Sequence, residues 1–150
     1  FPNGCHVCEV EIDPATGQVR VDRYTAVDDF GVVINQPIVD GQVHGGIVQG
    51  LGQVLMEDAW YDQDGQLLAG SFMDYAMPRA SDMPSFGVSE HPVPATTNIL
   101  GVKGVGEAGT SGSIPSAMIA ILDALKPLGV TDIPMPATPE RVWQAIQAAK

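Results

Sequence analysis

The stretch Lys103-Gly-Val-Gly-Glu107-Ala-Gly-Thr-Ser-Gly-Ser113 sets a lone carboxylate among glycines, just ahead of a helical pattern. Glycine lets the backbone lie close against a ligand or take positive φ. A helix N-terminus adds unpaired N–H donors and a partial positive charge. Glu107 is therefore a candidate general base, because a carboxylate held out of water accepts a proton near neutral pH. Two other readings compete. The plainer is a glycine connection with an acid in solvent near a helix start, where acids are common. The other is a nucleotide loop, since Gly104-Val-Gly106-Glu-Ala-Gly109 has the G-x-G-x-x-G spacing. That fingerprint needs a strand directly before and a helix directly after. Here Gly101 and Lys103 break the preceding apolar run, and the spacing predicts a helix only from Ser113. The Walker spacing from Gly104 to Ser111 puts Thr110 where a lysine must stand, so the phosphate-binding cation is missing.

A second stretch with chemical potential runs from Asp40 to Glu57. Val43, Ile47, Leu51, Val54 and Leu55 keep helical spacing, and Asp40 is a good N-cap. Five glycines nevertheless lie between positions 41 and 52. Each costs roughly 1 kcal/mol in a helix interior relative to alanine. Tight helix packing or a ligand against the backbone must offset that. Gln42 falls in the expected first turn, where its amide can offer donors and an acceptor to a heterocycle. By position alone it is an ordinary polar residue, and His44 and Gln49 read as packing or surface residues.

Other reactive residues read as structural. Cys5 and Cys8 form Cys-His-Val-Cys without a second ligand pair, and on an extended segment they point to opposite faces. Asp28 and Asp29 stand at a strand-to-turn junction, where acids ordinarily solvate or cap. His91 beside Glu90 resembles an acid–base pair, but neighbours in an extended loop rarely face one site.

These residues need elements to position them. Val7 to Asp13 and Gln18 to Val27 alternate apolar and polar around the turn Pro14-Ala-Thr-Gly17, which predicts a hairpin. Asn35-Gln36-Pro37 reads as a turn before the glycine-rich helix. Trp60-Tyr-Asp and Gln66-Leu-Leu read as a short hairpin, and residues 73–94, with four prolines, as irregular structure. Ser113 would cap a helix over 114–126, with Pro115 in its first turn and an apolar stripe including Ile114, Met118, Ile121 and Leu125. After Gly129 and the Pro134-Met-Pro136 linker, Thr138-Pro-Glu140 opens a terminal helix through Ala149. Its expected core face is Val142, Trp143 and Ile146.

The chain has 150 residues, 45% of them hydrophobic, which suffices for one domain with a real core. No internal repeat or boundary appears, so residues 1–150 read as one α+β unit, strands and hairpins with helices packed on them. Seven basic against eighteen acidic residues give a formal charge of −11, which argues against nucleic acid or anionic membrane as partner. No apolar run approaches the ~20 residues of a membrane span. Sparse cysteine suits a reducing cytoplasm. The start at Phe1 rather than Met suggests a piece of a longer protein.

Gly-Val-Lys-Gly-Val-Gly-Glu107-Ala-Gly, with the small-residue helix ending Ile-Leu-Asp-Ala-Leu, resembles the active-site segment of the molybdenum hydroxylases. This is the family of xanthine oxidase, aldehyde oxidoreductase and the carbon monoxide dehydrogenase large subunit. Asp-Phe-Gly, then Asn, then Gly41-Gln42-Val-His-Gly-Gly-Ile-Val-Gln-Gly-Leu-Gly resembles its pterin-contacting helix. Pro-Asn-Gly-Cys-His-Val-Cys-Glu-Val-Glu-Ile-Asp and Pro-Ala-Thr-Pro-Glu-Arg-Val-Trp-Gln-Ala-Ile resemble the carbon monoxide dehydrogenase-like branch. One departure is Asn35-Gln36-Pro37, where the family usually has Asn directly before Pro.

The resemblance implies the C-terminal part of a molybdopterin-binding subunit. Gly41, Gln42 and Gly106 would contact the cofactor, in a dinucleotide form, and Glu107 would be the catalytic base. No protein ligand cluster for the metal is expected. The implied reaction hydroxylates an aldehyde, an N-heterocycle or a similar carbon centre with water-derived oxygen, or oxidises carbon monoxide. Electrons would leave through 2Fe-2S clusters and FAD on partner subunits or domains of an oligomeric complex. The alternative is a small acidic nucleotide- or pterin-binding module without catalysis.

Overall fold

Period-2 alternation at the start of the chain produces a long hairpin. In the computed structural model, which describes residues 1–149, β1 (Asn3–Ile12) pairs antiparallel with β2 (Val19–Asp29). The register runs from Asn3 opposite Asp29 to Ile12 opposite Val19, closed by a turn in which Gly17 N–H donates to the Asp13 carbonyl at 2.7 Å. A bulge gives Asp22 no partner, so Asp22 and Arg23 both point outward. Val21 and Tyr24, three residues apart, thereby share the buried face.

The region expected to be irregular holds a third strand. β3 (Phe86–Glu90) pairs parallel with β2, Tyr24 opposite Phe86, giving the order β1-β2-β3. Its five residues alternate between half-buried and exposed. Flanking prolines hid that pattern, and parallel pairing needs a distant partner that no local signal announces. The expected hairpin after residue 60 shrinks to a single bridge between Tyr61 and Leu67.

Both glycine-rich helices begin earlier than their sequence signals suggested. α1 (Gln36–Leu55) starts four residues before the expected Asp40 cap. Asn35 caps it, its side-chain oxygen accepting from Ile38 N–H at 3.2 Å, and Pro37 sits in the first turn, where a missing N–H costs nothing. Gln42 consequently lies in the second turn. α2 (Ala108–Leu125) starts directly after Glu107, so Ser113 is buried inside the helix and Pro115 is interior.

Contact between the two helices accounts for the early start of α2 and for the glycines inside α1. A Cβ on Gly46 would lie 3.0 Å from Thr110 N, one on Gly50 1.9 Å from Ser113 Oγ, and one on Gly109 2.5 Å from the Val43 carbonyl oxygen. The helices touch backbone to backbone, and that packing offsets the glycines' poor helix propensity. Gly41 and Gly45, by contrast, have open space where a Cβ would stand.

α2 also packs on β1, and one core joins Tyr24, Ile47, Leu51, Ile121 and Leu125 to α3 (Pro139–Ala148) through Val142 and Ile146. Thr138 caps α3 as its sequence predicts. Trp143 does not join the core: it is 43% exposed and lies over Gly17, whose missing Cβ leaves its place. Among the described residues no helix is long and apolar enough to cross a membrane.

Candidate functional site

The glycine loop is held by its neighbours rather than by regular structure of its own. Val32 N–H donates to the Gly101 carbonyl and Lys103 N–H to the Phe30 carbonyl, each at 2.9 Å. Gly31 and Gly101 face each other at φ 65° and 67°, and a Cβ on Gly31 would lie 2.2 Å from the Gly101 carbonyl oxygen. Only glycine meets both demands there.

Asp29 ties this loop to the sheet. Its Oδ1 accepts from Gly31 N–H and Val93 N–H, each at 2.9 Å, while Oδ2 accepts from Lys103 Nζ and, at 3.4 Å, from Asn3 Nδ2. Lys103 and the two backbone donors hold this carboxyl well below the usual carboxylate range. The acids at the end of β2 are thus buried partners, not the solvated caps expected of them.

Between the start of β1, the end of β2 and the loop entering α2 lies a cleft of about 580 Å³. Gly104, Gly106 and Glu107 line it together with His6 and Asp28. Glu107 occupies the N-cap position of α2 but makes no capping hydrogen bond, so its carboxylate remains available to the cleft. It is exposed, so the described residues alone do not withdraw it from water as a base role requires. Gly104 and Gly106 have nothing within 4 Å of where a Cβ would be, leaving the backbone open on that side. Gly41 and Gln42 are exposed on α1 and do not line this cleft. The Gly109 contact with Val43 nevertheless lays the first turn of α2 against the turn of α1 that carries Gln42.

The start of α2 at Ala108 removes one objection to a nucleotide loop, a late helix. The other stands, since residues 101–105 form no strand beyond the Gly31–Val102 bridge.

Sequence reasoning missed a buried polar chain behind the cleft. His6 Nε2 lies 3.1 Å from Asp28 Oδ1, His6 Nδ1 2.7 Å from Tyr24 Oη, and Tyr24 Oη 3.1 Å from Ser116 Oγ. With the imidazole neutral, Nε2–H donates to Asp28 and Nδ1 accepts from Tyr24, while the one Ser116 hydroxyl proton lies within reach of both Tyr24 Oη and, at 3.2 Å, the Ser113 carbonyl. Burial pushes the Tyr24 phenol up to about 12, which keeps it a donor at neutral pH. Gly112 makes room for the ring, since a Cβ there would lie 2.3 Å from His6 Nδ1. The available signal was positional: Asp28 continues the inward series Tyr24, Ala26, Asp28. Cys5 and Cys8 lie on opposite faces as expected, and burial raises the Cys8 thiol to about 11, a poor nucleophile.

Known proteins match nearly the whole chain. A family model for a molybdopterin cofactor-binding domain matches residues 1–84. The nicotine 6-hydroxylase large subunit of Paenarthrobacter nicotinovorans is 43% identical, over 97% of this chain and 18% of that protein. The carbon monoxide dehydrogenase large chain of Hydrogenophaga pseudoflava is 38% identical, over 98% of this chain and 18% of its own length. The crystal structure of quinoline 2-oxidoreductase from Pseudomonas putida 86 superposes with a TM-score of 0.94 at 40% identity, covering 97% of this chain and 19% of that one. The chain therefore spans less than a fifth of the proteins it matches.

Proposed function

The chain belongs to the molybdenum hydroxylase large-subunit family, on its carbon monoxide dehydrogenase-like branch, and from that premise we propose that it is the C-terminal molybdopterin-binding portion of such an enzyme, with Glu107 as catalytic base. One observation carries the reading. Glu107 stands at the head of α2 with its carboxylate uncommitted, on a cleft whose glycine backbone is open.

The residues present fit the cofactor. Gly106 and Gly104 leave space for close approach, and the bare Gly41 beside the Gln42 amide offers a second contact surface on α1. His6 and Asp28 add polar groups to the wall of the cleft, and Asp28 Oδ2 is buried with no hydrogen-bond partner among the described residues. When bound, the cofactor supplies the redox chemistry, and the protein supplies position and proton transfer. Gly41, Gln42 and Gly106 would hold the group, and the Glu107 carboxylate would accept the proton that a water-derived hydroxyl loses when it becomes the oxygen of the product. Closure by the rest of the subunit excludes water around Glu107, so the carboxylate acts as base only in the assembled enzyme.

The substrate is a small molecule with an oxidisable carbon centre, such as an N-heterocycle, an aldehyde or carbon monoxide, a reading supported by likeness to a nicotine 6-hydroxylase, a carbon monoxide dehydrogenase and an aldehyde oxidoreductase. Iron–sulfur and flavin subunits take the electrons within a cytoplasmic oligomeric complex.

The Glu107→Gln variant of the full-length enzyme tests this. General base catalysis is typically worth ~10²–10⁴-fold, so molybdenum-normalised turnover falls by that range while cofactor content holds. A variant keeping more than about a tenth of wild-type turnover removes Glu107 from the base role.

A further inference from the structure

The head of α2 is seated between two supports, and one of them is a side chain. On one flank Gly46 and Gly109 bring α1 and α2 backbone to backbone. On the other the His6 imidazole, carried by β1, stands against Gly112, where a Cβ would lie 2.3 Å from Nδ1 and 2.4 Å from Cε1. The ring is not free to slide. Asp28 engages Nε2 at 3.1 Å and Tyr24 engages Nδ1 at 2.7 Å, both from β2, and the His6 side chain is 6% exposed. Tyr24 Oη in turn reaches Ser116 Oγ at 3.1 Å, one turn beyond Gly112. The sheet therefore meets α2 at two successive turns, first through the imidazole and then through the phenol.

Glu107 depends on where that helix head lies. Its carboxylate makes no capping hydrogen bond, and its carbonyl is tied into the helix by Ser111 N–H at 2.9 Å. Ala108, Ser111 and Gly112 line the same cleft as Glu107, so a shift of this turn carries the carboxylate with it.

We propose that His6 is a positioning residue for Glu107: wedged between β1 and Gly112, it sets the distance of the α2 head from the sheet and so where the carboxylate stands in the cleft. The inference rests on the reading of Glu107 as base. His6 lines the cleft but offers it no free nitrogen, since protein groups engage both, and it acts on the reaction only through Glu107. Proton transfer is steep in geometry, and a misplacement of about 1 Å can cost ~10²-fold. A ring that merely filled the core would affect stability and leave the rate alone.

The experiment uses the full-length enzyme and two variants that move the helix head in opposite senses. His6→Ala removes the wedge, whereas Gly112→Ala keeps every polar group and adds a Cβ where the ring stands. Single-turnover rate, KM and melting temperature are measured on molybdenum-normalised enzyme, with Glu107 intact and in the Glu107→Gln background. Each variant should lower the rate roughly 10- to 100-fold with KM near wild type, and neither should lower it further once residue 107 is the amide. Wild-type rates in both variants, whatever their melting temperatures, overturn the proposal and leave Glu107 as base. So does a loss of the same factor in the Glu107→Gln background, because the ring then acts by another route. Wild-type turnover in Glu107→Gln itself overturns the base reading, and this proposal with it. Should His6→Ala not fold, Gly112→Ala decides alone by the same outcomes, since alanine favours the helix it enters.

Discussion

Lys103 and Asp29, 74 residues apart in sequence, form an ion pair in which both side chains are about nine-tenths buried or more. This pair, with the Gly31 and Val93 amides on the same carboxylate, fastens the glycine loop to the end of β2 and so sets where Glu107 stands.

Because the folded-state pKa of Asp29 is depressed, its contribution to stability is present above the unfolded value of about 4 and is lost as pH falls through the folded value. Asp29→Asn should therefore lower the melting temperature most near neutral pH. The gap to wild type should narrow steadily below about pH 4. Melting curves of both proteins across that range check this, and two parallel profiles would show that Asp29 is not the linked group.

The glycines of α1 divide into two kinds with opposite expected responses. Gly50→Ala puts a Cβ 1.9 Å from Ser113 Oγ and 3.2 Å from Ile114 Cγ1, so the helices must part. Overpacking of this sort costs about 1–3 kcal/mol. Gly45→Ala meets nothing and should stabilise by roughly 0.5–1 kcal/mol through helix propensity. Denaturant midpoints of the two variants should move in opposite directions, and a shared direction would contradict the close helix contact.

Gly41 carries a sharper version of the same test. Its Cβ position is open in this chain, so Gly41→Ala should stabilise the cofactor-free protein. A ligand lying against that backbone would be displaced by the added methyl, so molybdenum content should fall. Stability and metal content rising or holding together would take Gly41 out of the binding surface.

Gln42→Ala probes the neighbouring amide. Gln42 is exposed in the second turn of α1, and among the described residues its side chain makes no hydrogen bond, so the fold should hold. Loss of a neutral hydrogen bond to the cofactor is worth about 0.5–1.5 kcal/mol, seen as lower occupancy at limiting cofactor. Occupancy and rate equal to wild type would make Gln42 an ordinary surface residue.

Local signals in the sequence determined the hairpin, the glycine-rich and terminal helices, and the loop that carries Glu107. Alternation, caps and turn residues act over a few positions and can be read along the chain. Tertiary structure alone decided that α2 begins at Ala108, because Gly109 becomes favourable in a helix only when the α1 backbone lies against it, whereas the α1 start is set by the local Asn35 cap and Pro37. It also decided that Phe86–Glu90 is a strand, since its partner on β2 is some sixty residues away. The burial of Asp28 and Asp29 was hidden for the same reason. An acid at a strand end solvates unless the fold brings His6 and Lys103 to it, and neither lies near it in sequence.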